Sequence, residues 1–215
     1  MKKTLIIIGA MLLLLGYPVR VSASQPQEDL DTMTLAEMLK SVDAGGKSEV
    51  FQKFWEKEAK EKLTHKFGSQ EAKKEGFRLE TTRNKEVLIV TIPASVLFAP
   101  NAVELTSKAS EYLEPFRKYM DKSDTYRVLL VMHTDNTGSP EYQEQITGDR
   151  VDAVFEWFEN QGEDTTYVFP YAYGSDAPLA ANDSQENRNK NRRLEVYIMP
   201  GEKMVELAKK GKTDF

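Results

Sequence analysis

Apolar positions along most of the chain recur with periods that separate helices from strands. Between Ser48 and about Lys74, Val50, Phe51, Phe54, Trp55, Leu63 and Phe67 fall at three- and four-residue spacings. That spacing predicts a helix whose single apolar stripe needs a partner surface. Residues 77–82 and 86–92 are strand-like runs flanking Arg83-Asn84-Lys85, which predicts a hairpin with Asn84 at its turn. Thr106 or Ser107 opens a second amphipathic helix carrying Ala109, Tyr112, Leu113, Phe116 and Met120, and Pro115, having no amide donor, should kink it. The run from Tyr126 to Met132, rich in Val and Leu, reads as a strand buried on both faces with His133 at its end. Ser139 and Pro140 then start the clearest helix. Ile146, Val151, Val154, Phe155 and Phe158 form its buried side and Gly162 stops it. Residues 166–173 make another strand, 178–190 a polar loop with room for a short helix, 193–199 a last strand, and 203–212 a terminal helix or tail.

This order predicts an α/β chain of the α+β sandwich kind: a mixed β-sheet with helices packed on one face, elements in βαβαβ-β order, and a last strand open to an antiparallel setting. The 215 residues, 40% hydrophobic and 29% charged, suit one globular domain with flanking segments. The boundaries read as a signal peptide over 1–23, a flexible linker over 24–46, an amphipathic helical segment over 47–76, a core domain over 77–200 and a tail over 201–215. The leader begins Met1-Lys2-Lys3, continues with an apolar run from Leu5 to Gly16 and closes on Val21-Ser22-Ala23. Pro18 and Arg20 interrupt the run before the ~20 residues a spanning helix needs, so export with cleavage is expected. An uncleaved segment tethering the chain to the inner membrane is the alternative.

Composition narrows the chemistry. Cysteine is absent, which excludes disulfides, thiol catalysis, thiolate metal sites and a lipid anchor through cysteine. Loss of Lys2, Lys3 and Arg20 with the leader takes the basic residues from 29 to 26 against 34 acidic ones, about −8, so nucleic acid is not an expected partner. The two histidines, His65 and His133, lack metal-ligand spacing and a neighbouring nucleophile, so no metal, no cofactor and no enzymatic activity are expected. The helix over 48–74 is expected to pack on the core domain, on an envelope protein or on a second copy of itself.

One constellation offers recognition instead. His133-Thr134-Asp135 sets a carboxylate on the loop after the buried strand, and the following helix brings Thr147 and Arg150 onto one face. An acceptor-only aspartate beside a fork-shaped arginine complements a zwitterionic amino-acid group, the first taking the ammonium and the second the carboxylate. From spacing alone the leading reading is plainer, a surface salt bridge worth ~0 to 1 kcal/mol. Arg188, Lys190, Arg192 and Arg193 form a basic run of the kind usually solvated or paired within a fold. Tyr142, Tyr171 and Tyr173 offer faces to a sugar ring, although aromatic residues at strand and helix ends are usually core.

From about Glu86 to Pro200 the chain resembles the OmpA-like peptidoglycan-binding domain family found in OmpA tails, Pal and MotB. The resemblance rests on Leu97-Phe98-Ala99-Pro100-Asn101, His133-Thr134-Asp135, Gly138, Tyr142, Thr147-Gly148-Asp149-Arg150, Pro178, Asn182, Arg188 and Asn191-Arg192-Arg193. Met132 stands where the family has glycine, Gln143 where it has asparagine, and Thr147 where it has serine. The resemblance implies that Asp135 and Arg150 hold the diaminopimelate of a peptidoglycan stem peptide, with Thr134, Thr147, Asn191 and Arg193 completing the site. It also implies non-covalent anchoring in the periplasm, at the cell wall and peripheral to the outer membrane. A module that keeps the fold without binding is the remaining alternative.

Overall fold

A computed structural model describes residues 30–41, 43–120 and 123–215; the expected signal peptide and the start of the expected linker lie outside the described residues. In chain order the elements are α1 (Leu35–Ser41), α2 (Ser48–Glu58), a π-helical segment (Ala59–Gly68), α3 (Gln70–Lys74), β1 (Arg78–Thr82), β2 (Val87–Pro93) and α4 (Ala94–Leu97). They continue with α5 (Ala109–Leu113), a 3₁₀ segment (Glu114–Tyr119), β3 (Tyr126–His133), α6 (Pro140–Asn160), β4 (Val168–Ala172), α7 (Gln185–Asn191), β5 (Arg193–Pro200) and α8 (Glu202–Lys209). The five strands form one mixed sheet in the order β1-β2-β5-β3-β4. β5 inserts antiparallel between β2 and β3, and β3 pairs in parallel with β4 across the α6 crossover.

Every residue of β3 is buried, as its continuous apolar run requires. Val128, Leu130 and Met132 share one face with Leu194, Val196 and Ile198 of β5 and Leu88, Val90 and Ile92 of β2, forming the main core. Leu129 and Val131 face the other way, beside Phe169, Tyr171 and Met199. That second face is covered by the segment expected to be a flexible linker. Leu30 and Met38 are fully buried on it, with Met33, Leu35 and Leu39 packed alongside, and the Tyr171 hydroxyl donates to the Met33 carbonyl at 3.1 Å. A capping box starts α1: the Thr34 amide donates to Glu37 Oε2 at 2.9 Å, and the Glu37 amide to Thr34 Oγ1 at 3.3 Å. Residues 30–41 are therefore a packed strap, because apolar residues spaced through an otherwise polar stretch find an apolar sheet face.

The stripe over 48–74 is spent inside the molecule. Phe51, Trp55, Leu63 and Phe67 have no exposed surface, and the Trp55 indole donates to the Glu86 carbonyl at 2.7 Å. Phe215 closes over Phe54 with ring centroids 5.2 Å apart. Packing on an envelope partner or on a second copy through this stripe is thus corrected: its surface is already buried against the chain's own core. Gly45, at φ 54°, passes close to α8, where a Cβ would lie 2.4 Å from Lys209 Cε, and its left-handed backbone favours glycine at this turn. Pro115, expected to kink a continuous helix, stands instead at a change of winding, with α5 giving way to a 3₁₀ segment at Glu114.

Candidate functional site

Three segments meet at the C-terminal end of β3: the loop over 134–139, the first half of α6 and the loop over 98–105. Ser139 accepts from the Tyr142 amide as N-cap and Pro140 fills the first turn, so the helix start is fixed directly after Gly138. Gln143 secures the same corner, donating to the Gly138 carbonyl at 3.0 Å and accepting from the Ser175 hydroxyl at 2.6 Å. The longer glutamine arm thereby clasps both loops. Met132 lies fully buried in the main core.

Asp135 is 2% exposed. Its Oδ1 accepts from the Thr137 amide at 2.7 Å, and its Oδ2 pairs with the Arg192 guanidinium. Burial raises the carboxyl pKa, but the Thr137 hydroxyl and amide and Arg192 outweigh it, so the pKa lies below the ordinary value and the group is ionised. Arg192 also reaches the Asn189 side chain.

Arg150 is 6% exposed and lies over the Phe98 ring, 4.9 Å from its centroid. Nε donates to the Ala102 carbonyl at 2.9 Å, and Nη2 reaches the Ala99 carbonyl at 3.5 Å. No carboxylate pairs with it among the described residues. Burial lowers its pKa; the Tyr142 hydroxyl opposes this and the nearby Arg192 charge adds to it. Arg192 thus lies electrostatically close to both candidate residues. The expected surface salt bridge between Asp135 and Arg150 does not form: both side chains are buried, and the aspartate is paired with Arg192.

Thr134 and Thr147 frame the site through internal bonds. The Thr134 amide donates to the Gly174 carbonyl at 2.8 Å. The Thr147 hydroxyl donates to the Gln143 carbonyl at 2.8 Å and accepts from the Gly174 amide at 3.3 Å. Asn191 and Arg193 are corrected as ligand contacts. Asn191 is fully buried; its Oδ1 takes the Leu179 and Ala180 amides, and its Nδ2 donates to the Ala180 carbonyl and Asn182 Oδ1, so its polar atoms are committed to one loop. Arg193 is 3% exposed and donates to Glu195 Oε1 at 2.7 Å and to the Asn191 and Ala177 carbonyls. Arg192 takes its place at the site. Strand alternation carries that signal, because adjacent residues at a strand start project to opposite sides.

His133 sits on the second face with Arg193 and Glu195, buried beside Tyr173. Its Nε2 lies 3.3 Å from Glu195 Oε2, but off-axis, and neither ring nitrogen makes an aligned hydrogen bond. Burial holds its pKa below 6.5 against the pull of Glu195. Glu195 is also buried, yet His133 and Arg193 bring its pKa down to about 2. A buried imidazole with no adjacent nucleophile offers no catalytic arrangement.

Residues 97–192 match the OmpA family. The chain is 24% identical over 128 residues to the probable lipoprotein YiaD of Escherichia coli K12, covering 60% of this chain and 58% of that protein. It is 24% identical over 99 residues to a peptidoglycan-associated lipoprotein of Buchnera aphidicola, covering 46% and 57%. The chain thus spans less than two thirds of the length of these relatives. Among solved structures, a MotB-like protein from Desulfovibrio vulgaris superposes with a TM-score of 0.58 at 20% identity, covering 72% of this chain and 95% of that one, a likeness of fold.

Proposed function

We propose, from the premise that residues 97–192 match the OmpA family, that this chain binds the peptidoglycan stem peptide non-covalently in the periplasm and holds itself at the cell wall. A relative in that family is a peptidoglycan-associated lipoprotein, which supports the choice of polymer. The observation that carries the proposal is Arg150. A guanidinium has five N–H donors; carbonyls of the 98–105 loop take two, and the other three have no carboxylate among the described residues. Burying an uncompensated cation costs several kcal/mol, and a ligand carboxylate would compensate it through a bidentate pair.

Asp135 supplies the opposite half. Arg192 covers it, so an incoming ammonium displaces or shares that contact. The released guanidinium then meets a second ligand carboxylate, and the charges of the complex balance. Diaminopimelate, which carries an ammonium and a carboxylate on one carbon at the free end of its side chain, fits this exchange. Nothing is turned over; the activity is binding.

Calorimetry with a diaminopimelate-containing tripeptide tests the proposal. Wild type should release heat on binding, and Arg150→Ala should weaken affinity by about 2 to 5 kcal/mol, the usual cost of truncating one partner of a buried charge pair. Absence of heat with wild type contradicts the reading.

A further inference from the structure

Among the described residues, the two ring nitrogens of His133 are the buried side-chain polar atoms left without a hydrogen-bond partner. The ring is 3% exposed on the second face of the sheet. Facing it among the described residues are Glu195 and Arg193 of β5 and Tyr173 after β4, with Tyr197 behind Glu195. Both Glu195 oxygens are already engaged, Oε1 accepting from Arg193 Nε at 2.7 Å and Oε2 from the Tyr197 hydroxyl at 2.7 Å. An imidazolium has two N–H donors. Here it would find a shared, off-axis acceptor for Nε2 and none for Nδ1, and it would add a second cation to a single carboxylate. A charge so placed is costly until water reaches it.

The way to water leads past Tyr173, whose ring centroid lies 5.2 Å from that of His133 and which is itself 36% exposed. Tyr173 opens a loop that is tied down at four points. The Thr134 amide donates to the Gly174 carbonyl at 2.8 Å, the Gly174 amide to the Thr147 hydroxyl at 3.3 Å, the Ser175 hydroxyl to Gln143 Oε1 at 2.6 Å, and Arg193 to the Ala177 carbonyl at 3.0 Å. Thr134 directly precedes Asp135, and Thr147 stands about one helical turn before Arg150. An outward turn of the imidazole therefore works against the contacts that hold both recognition residues in place.

We infer that His133 is a proton-operated latch: its protonation displaces Tyr173, frees the loop over 173–177 and weakens the grip on the ligand. The effect on affinity rests on the stem-peptide reading, whereas the release of the loop does not. Burial lowers the His133 pKa against the pull of Glu195, so the transition falls below pH 6.5. Glu195, at about 2, and Asp135, below its ordinary 3.8, stay ionised throughout, which leaves the imidazole as the group that changes charge. His65, the other histidine, is exposed on the π-helical segment.

The test follows tripeptide affinity by calorimetry, and amide hydrogen exchange in the free full chain, between about pH 8 and 5, the range in which histidine changes charge. Wild-type affinity should hold down to pH 6.5 and then fall by up to about tenfold per pH unit, the limit for one linked proton. Over the same range the Thr134 and Gly174 amides should lose protection, while the Val128 amide, bound to the Tyr167 carbonyl, keeps it. His133→Asn, which takes no proton there, should abolish both changes. In wild type the loss of Gly174 protection should share its midpoint with the His133 ring signals in NMR, and separate midpoints overturn the latch. A measurable affinity that stays constant with pH, or constant Gly174 protection, overturns it as well and leaves the stem-peptide reading standing. Equal declines in wild type and His133→Asn assign them to another group, with the same consequence. Gly174 protection that falls in acid while no pH gives heat on binding supports the latch and overturns the stem-peptide reading instead.

Discussion

Two consecutive arginines, Arg192 and Arg193, lie on opposite sides of the start of β5 and serve different ends. Arg193 is enclosed with Glu195, whereas Arg192 is partly exposed over Asp135. Arg193→Ala should therefore cost about 3 to 5 kcal/mol in urea denaturation by leaving Glu195 buried without its cation, with tripeptide affinity retained by the folded fraction. Arg192→Ala should show the reverse, weaker binding with a smaller loss of stability, because Asp135 keeps the Thr137 amide. A pH dependence follows from the same network. His133 binds its proton less readily in the folded than in the unfolded chain, so its contribution is complete above 6.5 and declines as pH falls below that value. The depressed Glu195 pKa gives a second contribution, present above 4.5 and lost toward about 2. His133→Asn should flatten urea midpoints between pH 6.5 and 4.5 and shrink the lower decline to the part that Arg193 sustains; an unaltered upper decline contradicts this assignment. Residue type and spacing suggested for Asp135 and Arg150 only a salt bridge, and the family resemblance alone made them a ligand site; which arginine pairs with the aspartate was legible from neither, since that depends on which side of β5 each one leaves.

At the scale of elements, the strands were legible because period-two alternation and the unbroken run from Tyr126 to Met132 admit one reading. Two features were less so. The π-helical segment over 59–68 interrupts what reads as one helix, because the four-residue spacings from Phe51 to Trp55 and from Leu63 to Phe67 suit either winding; Thr64 Oγ1 bonding back to the Ala59 carbonyl at 2.8 Å accompanies the wider turn. The strap over 30–41 was hidden by its polar composition, although Thr34 and Glu37 stand at capping-box spacing. Its contribution can be measured. Met38→Ala should destabilise the protein by about 2 to 5 kcal/mol, as for other buried methionines, whereas a strap that merely rests on the sheet predicts no change in the urea midpoint.

At the scale of the molecule, helices α2 and α8 and Phe215 close the main core while the strap closes the second face, so the apolar surfaces flanking the sheet are satisfied within the chain. One end of the sheet instead carries charge, with Asp135 and Arg150 buried and Arg192 partly exposed over the aspartate. No helix among the described residues is long and apolar enough to cross a membrane. Attachment to the wall through this end is the central claim, and co-sedimentation with purified sacculi tests it most directly. Wild type should pellet with the sacculi, and the Asp135→Ala, Arg150→Ala double variant, confirmed folded by circular dichroism, should stay in the supernatant. Equal sedimentation of the two proteins would contradict the account.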